Sequence, residues 1–354
     1  MLKLFKSKSL AILGIDISTT SVKILQLSKN GDRYCVEGYG RASLPENAMD
    51  GYLVKDSEAV ADCIKNIIKT TGLTCKQVAI AVPESSAISK VIQLNEGLND
   101  AEIEELVVMD ADKYIPYPID EVNMDFCPMG TSLKNSAMQD VLIVASRAEN
   151  VSNRVGVIQL AGLEAVIVDV ESYAVERAAQ LLKPSLPANG DKKNIAIIDM
   201  GSTYTHIFVL HDMKIIFSRE EQFGSKQLLD EIMQHYGLSW AEALALIEHG
   251  PLPEDYEKVV LQPFKELILL QVKRALQFFF SNSHHTFVDH IIFAGGVAKL
   301  SDITQLLREH INVPTTTPSF FEEMSVVTSV DRDALREDSP MLMLLCGLAL
   351  RQIE

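Results

Sequence analysis

Ile15-Asp16-Ile17-Ser18-Thr19-Thr20-Ser21-Val22-Lys23-Ile24 lies over Ile198-Asp199-Met200-Gly201-Ser202-Thr203-Tyr204-Thr205-His206-Ile207 without a gap, at a constant offset of 183 residues (16 to 199). In each copy an apolar run ends in Asp, a turn of small hydroxylated residues follows, and a second apolar run begins. The pattern predicts a strand, a tight turn and a returning strand. Its chemistry suits polyphosphate: backbone N–H groups in a concave turn, small side chains that let oxygens approach, hydroxyls as extra donors, and a carboxylate to hold magnesium through water. One such turn also occurs in ordinary β-turns. Two in register point to duplicated halves. Short-period repeats are absent, so the expectation is two lobes rather than an array.

Around the first copy, strands at 11–17, 22–27 and 34–39 read as a meander, followed by a helix at 58–69 with Val60, Ile64, Ile67 and Ile68 at helical spacing and a strand at 77–83. Asn99 and Glu102 have capping-box spacing ahead of a helix at 101–115, which Pro116 and Pro118 stop. Strands at 123–127 and 140–145 and a helix at 150–161 complete an inserted β/α block. The chain returns with a strand at 163–170 and a helix at 172–182, and the prolines and glycine of 183–191 predict an exposed linker. The resulting division places 1–82, 163–190 and 330–354 in the first lobe and 83–162 in the insert. The second lobe takes 191–224 and 284–329, with 225–283 as its helical subdomain.

Composition narrows the function classes. The 354 residues are 47% hydrophobic and 23% charged, which suits packed globular interiors and not disorder. The longest apolar run, 341–350, is about half of the roughly 20 residues a spanning helix needs. Lys3, Lys6 and Lys8 precede a short apolar stretch that Asp16 interrupts, with no small-residue cleavage site, so an unprocessed cytoplasmic chain is expected. The 5 cysteines contain no Cys-x-x-Cys and read as buried thiols. A net charge of −16 opposes nucleic acid and anionic lipid alike. His284, His285 and His290 read as a polar loop rather than a metal cluster, the acids Glu102, Glu104, Glu105, Asp110 and Asp112 as a solvated helix face or a seat for a basic peptide, and Phe278-Phe279-Phe280 as core.

These motifs resemble the actin-like ATPase superfamily, which implies an α/β fold of two duplicated, ribonuclease H-like lobes. Residues 16–23 match its first phosphate motif, 199–205 its second, and Ile291-Ile292-Phe293-Ala294-Gly295-Gly296-Val297 its adenosine motif. The resemblance implies ATP on Asp16, Ser18, Thr19, Thr20, Lys23, Asp199, Gly201, Ser202, Thr203, Gly295 and Gly296, with Mg2+ held through water by Asp16 and Asp199. Lys273 and Arg274 match basic residues that touch adenosine in relatives, or else form a solvated face. Glu171 stands where relatives orient the attacking water, which implies at most a slow ATPase; as a plain helix N-terminal carboxylate it would also be favoured by the dipole. Many members carry Gly where Ser18 stands, so a positive φ there would weaken this site. The family's hinge helices correspond to 171–182 and 339–353, the latter with Ser339 as N-cap and Pro340 at its first position, and Gly347 implies a close helix crossing.

Within the superfamily the insert fits the FtsA-type 1C subdomain. Tyr114-Ile115-Pro116-Tyr117-Pro118-Ile119-Asp120-Glu121-Val122 and the opening Met1-Leu2-Lys3-Leu4-Phe5-Lys6 resemble the PilM family of type IV pilus assembly proteins. That implies an ATP-binding scaffold for twitching motility, peripheral to the inner membrane. Its partners would be the N-terminal cytoplasmic tail of PilN and the pilus platform and motor proteins, with the tail in a groove near Val82 and Pro83. Homo-oligomerisation stays open. The alternatives are an FtsA-like division protein, against which the missing C-terminal amphipathic anchor counts, and a small-molecule kinase, for which no substrate-lobe Asp base is found.

Overall fold

The computed structural model describes residues 12–31 and 33–351; the opening lysine-rich stretch and the last two residues of the expected final helix lie outside them. The first lobe begins with an antiparallel meander, β1 (Leu13–Ile17), β2 (Ser21–Asn30) and β3 (Arg33–Ser43). A short ribbon, β4 (Met49–Asp50) and β5 (Leu53–Val54), leads to α1 (Ser57–Thr71) and β6 (Gln77–Val82). Local sequence fixes the ends of α1: the Asp56 side chain accepts from the Ala59 amide, and Gly72 closes the helix in the left-handed conformation.

The excursion adds β7 (Ala87–Asn95), α2 (Asp100–Met109), β8 (Val122–Thr131) and β9 (Met138–Arg147), after which come α3 (Ala148–Leu160), β10 (Glu164–Val170) and α4 (Glu171–Leu182). The second lobe runs β11 (Asn194–Met200), β12 (Thr205–His211), β13 (Lys214–Glu221), α5 (Ser225–Tyr236), α6 (Trp240–His249), α7 (Gln262–Ser281), β14 (His290–Ala294), α8 (Ile303–Ile311) and β15 (Thr315–Thr316). Then β16 (Ser325–Val326), α9 (Arg332–Asp338) and α10 (Met343–Ala349) bring the chain back.

The duplication is visible in sheet order. The first sheet reads β10-β6-β1-β2-β3 and the second β15-β14-β11-β12-β13, each a meander flanked by parallel strands, with β16 added at the edge of the first. Hairpin register repeats too: Ile15 pairs with Ile24 and Asp16 with Lys23, as Ile198 pairs with Ile207 and Asp199 with His206. One core fills the first lobe and another the second, while a third lies between the sheets. The third joins Leu25 and Val36 to Ile197 and Phe208 through Val175 of α4 and Leu342 and Leu345 of the returning segment. At about 1.5–3 kcal/mol for each fully buried large aliphatic side chain, the lobes share a substantial hydrophobic hinge.

Gly347 makes that hinge possible. A Cβ added there would collide with the Ala174 carbonyl, and one added at Gly14 would lie 2.7 Å from the Ala349 nitrogen, so α10 packs directly on α4 and on β1. The expected helix crossing is therefore present. The single helix expected at 339–353 is instead a 3₁₀ turn, Ser339–Met341, followed by α10. Ser339 does not cap it, because its hydroxyl donates to the Pro318 carbonyl at 3.0 Å and accepts from the Phe320 amide.

Other expectations also change. The helix expected at 101–115 ends at Met109, since Asp110 takes the Lys113 amide and ammonium in a tight turn that carries the chain to Pro116. The Asn99–Glu102 capping box is present in both directions. Strand β7 was not anticipated: only Ile92 in it is buried, so its alternation is faint. Val157 and Ile158 of α3 sit in the first lobe's core, so this helix packs on the lobe while its start stays joined to the insert through β9. The linker is not wholly exposed, since Leu186 joins the core between the lobes. Phe279 is core as expected, but Phe278 is exposed beneath the Arg219 guanidinium, 3.8 Å from its ring centre.

Candidate functional site

The two hydroxyl-rich turns close on the same bond. The Ser18 amide donates to the Ser21 carbonyl at 3.0 Å, and at matched positions the Gly201 amide donates to the Tyr204 carbonyl at 3.0 Å. Neither Ser18 nor Gly201 has positive φ, so the backbone does not demand glycine at this position. The Ser18 hydroxyl folds back onto the Ser21 carbonyl at 2.8 Å and leaves the turn open. The two turns meet where the Thr203 hydroxyl donates to that of Thr19 at 3.1 Å. Thr20 is exposed at the tip and Ser202 is half-buried.

Each turn is backed by its own device. In the first lobe the buried Lys23, opposite Asp16 in register, places Nζ 2.8 Å from its carboxylate. The second lobe has His206 in the corresponding place, facing Asp199. Burial raises the Asp199 pKa, with His206 and Lys23 lowering it and Asp16 adding to the rise. Among the described residues the Asp199 carboxylate accepts no hydrogen bond and forms no ion pair. The start of α5 braces this turn, since the Ser225 and Lys226 amides donate to the carbonyls of Gly201 and Ser202. A Cβ at Gly224 would strike both carbonyls, so glycine is required there.

The glycine pair joins the same place. Gly295, at φ 91°, lies so close that a Cβ would collide with the Met200 carbonyl and come within 2.7 Å of Asp199 Oδ1; its amide donates to the Pro340 carbonyl at 2.8 Å. Gly296 is exposed, and a Cβ there would meet only the Met341 sulfur, at 3.8 Å, which leaves open space for a flat ligand. The structure thus brings Asp16, Ser18, Thr19, Lys23, Asp199, Gly201, Thr203 and Gly295 together. No hydrogen bond or ion pair among the described residues ties Lys273 or Arg274 to these turns; Lys273 is half-buried and Arg274 exposed on α7.

The residues present fit a hydrated magnesium ion. Carboxylates and hydroxyls are the hard oxygen donors it prefers, and Asp199 is unpartnered. No three His, Cys, Asp or Glu side chains converge as a direct ligand set among the described residues, so such an ion would be held largely by its own waters.

Glu171 opens α4 with its side chain 13% exposed, and His206 Nδ1 lies 3.8 Å from Oε2. Burial raises the Glu171 pKa, while His206 and Arg154 pull it back. Arg154, Tyr52 and Glu220 around it belong to no motif in the sequence. Arg154 of α3 is buried, and its guanidinium donates to the Ile17 carbonyl at 3.2 Å and the Tyr52 carbonyl at 3.5 Å. Tyr52 stacks on Tyr204, ring centres 4.6 Å apart, and its hydroxyl donates to Glu220 at 2.5 Å and lies 3.2 Å from His206 Nε2. Only His206 could have been found beforehand, as the position matching Lys23.

Val82 and Pro83, beside which the partner tail is expected, are buried. An open depression on the insert lies on α2, lined by Ala101, Glu104, Glu105, Val108 and Met109.

A family model described as type IV pilus assembly protein PilM matches residues 14–353. The chain belongs to that family. A solved structure described as a PilM-PilN type IV pilus biogenesis complex resembles it with a TM-score of 0.77 at 24% identity, covering 96% of this chain and 98% of that one. Ethanolamine utilization protein EutJ from Carboxydothermus hydrogenoformans gives a TM-score of 0.58 at 16% identity, covering 96% and 89%. Glycerol dehydratase reactivase gives 0.54 at 10%, covering 96% and 99%. The fold is the duplicated actin-like one, and PilM membership sets aside the division-protein and kinase alternatives.

Proposed function

We propose that this protein is a cytoplasmic, ATP-binding scaffold of the type IV pilus inner-membrane platform, and that nucleotide between its lobes sets the surface offered to the N-terminal cytoplasmic tail of PilN. The observation that carries the nucleotide reading is the pair of turns at matched register, with the unpartnered Asp199 beside Gly295. In this reading the free amides of both turns and the hydroxyls of Thr19, Thr20, Ser202 and Thr203 hold the phosphates, Gly295 and Gly296 admit adenosine, and Asp16 and Asp199 hold magnesium through its waters. The ion would neutralise phosphate charge. Glu171, partly buried and raised in pKa, is suited to orient water and accept its proton, as a slow ATPase would need. The PilN reading is supported by family membership and by the likeness to the solved PilM-PilN complex.

Membrane attachment through a partner follows from charge. The net −16 opposes adsorption to anionic lipid, and among the described residues no helix is long and apolar enough to cross a membrane. Flotation with anionic liposomes tests the reading. The purified protein should stay at the bottom alone and float once a PilN tail is tethered to the lipid. Flotation without the tail, or none with it, contradicts the proposal.

A further inference from the structure

The chain enters and leaves the inserted sheet at two places, and contacts at both lead to the facing phosphate turns. One is a lever. Strand β9, central in the inserted sheet, runs without a loop into α3, where Arg154 grips the carbonyls of Ile17, just before the first phosphate turn, and of Tyr52. The neighbouring Asn153 clamps the ribbon from its other end, its amide side chain bonding both the nitrogen and the oxygen of Val54 at 3.0 and 3.1 Å. The other is a strap, Glu84–Ser86, which precedes β7. It crosses to the second lobe, where Ser85 donates to Glu220 and Ser218 to Glu84, both at 3.3 Å.

Glu220 on β13 is the common point, since it also receives the Tyr52 hydroxyl. Tyr52 in turn lies on Tyr204, inside the second phosphate turn. We propose that Glu220, Tyr52 and Arg154 form a clasp that turns the inserted subdomain when the lobes move, so that a partner seated on the insert senses what the two phosphate turns hold. The geometry has the required parts. Tyr52 lies on the ribbon that Arg154 and Asn153 of α3 hold, Ser85 lies in the strap that leads to β7, and both end on one carboxylate of the opposite lobe. A shift of β13 therefore pulls on both attachments together. Arg154 acts through these contacts as a positioning residue, with two carbonyls as its acceptors. This inference rests on the nucleotide reading for its trigger, whereas the clasp itself is a property of the protein alone.

Hydrogen exchange with and without MgATP tests both levels. In the protein alone, Glu220→Ala should speed exchange in the strap and the first turn of α3 by at least about tenfold, the loss expected for even one hydrogen bond to a charged group. Helix α7 serves as the reference and should not change. Tyr52→Phe, which keeps the stack on Tyr204 and removes only the hydroxyl, should give a smaller increase in the same segments, and Glu220→Gln should restore most of the protection. In the wild type, MgATP should slow exchange in the strap and α3 as well as in both phosphate turns; in Glu220→Ala the turns alone should respond. Unchanged strap and α3 exchange in Glu220→Ala and Tyr52→Phe overturns the clasp. If MgATP leaves the wild-type turns unprotected, the nucleotide reading fails, and the nucleotide-free comparison still decides whether the clasp exists.

Discussion

Glu171 and Ser18 show how single residues report on the site. Burial is the largest effect on Glu171, so the folded protein holds its proton more tightly than the unfolded chain. A pKa raised in this way lends stability that is complete below the unfolded value and is lost as pH rises through the folded one. Glu171→Gln cannot ionise, so its stability relative to wild type should improve as pH rises from below the ordinary 4.5 towards neutrality. Denaturant midpoints of both proteins across that range check this; a relative stability that is flat or falls with pH contradicts it. Ser18 needs no left-handed backbone, and its hydroxyl bonds within its own turn. Ser18→Gly should therefore leave MgATP affinity unchanged and cost about 0.5–1 kcal/mol of stability through added chain freedom. Tighter MgATP binding by Ser18→Gly in a calorimeter would show that serine does obstruct the phosphates.

Elements divide into those whose cues are local and those set by distant contacts. The meander, α1 with its caps, the capping box of α2 and the repeated turns were legible because periodicity and cap chemistry lie within a few residues. The edge strand β7 and the early end of α2 were not, because little of either is buried and a single turn at Asp110 decides the second. Packing of α3 with the lobe, and the meeting of Tyr52, Arg154 and Glu220, depend on residues far apart in the chain, which no window of sequence reveals. Gly347 is the opposite case: a glycine inside an apolar helix had to mean close approach, and the Ala174 carbonyl fills the space. Gly347→Ala should cost about 3 kcal/mol or more by forcing α10 away from α4. A denaturation midpoint close to wild type would mean that the hinge can open without penalty. The insert has a small core of its own around Ile103, Val107 and Val141, so Ile103→Ala should cost about 2–4 kcal/mol there. Proteolysis of the variant should begin in the insert; first cuts in the second lobe would contradict that division of stability.

At the scale of the whole molecule, two sheets of matched order share a hydrophobic hinge and present matched turns to one cleft. Ligand held by both turns would favour the arrangement in which they face each other, a shift of population whose size is set by the difference in affinity between arrangements. The nucleotide control proposed for the insert and for PilN binding depends on the two turns taking MgATP, and calorimetric titration of MgATP into wild type and Asp199→Ala tests it most directly. The wild type should bind at one site per chain and a folded Asp199→Ala at least about tenfold more weakly, which corresponds to about 1.4 kcal/mol. Equal affinities in the two proteins, or no heat of binding in the wild type, would contradict it.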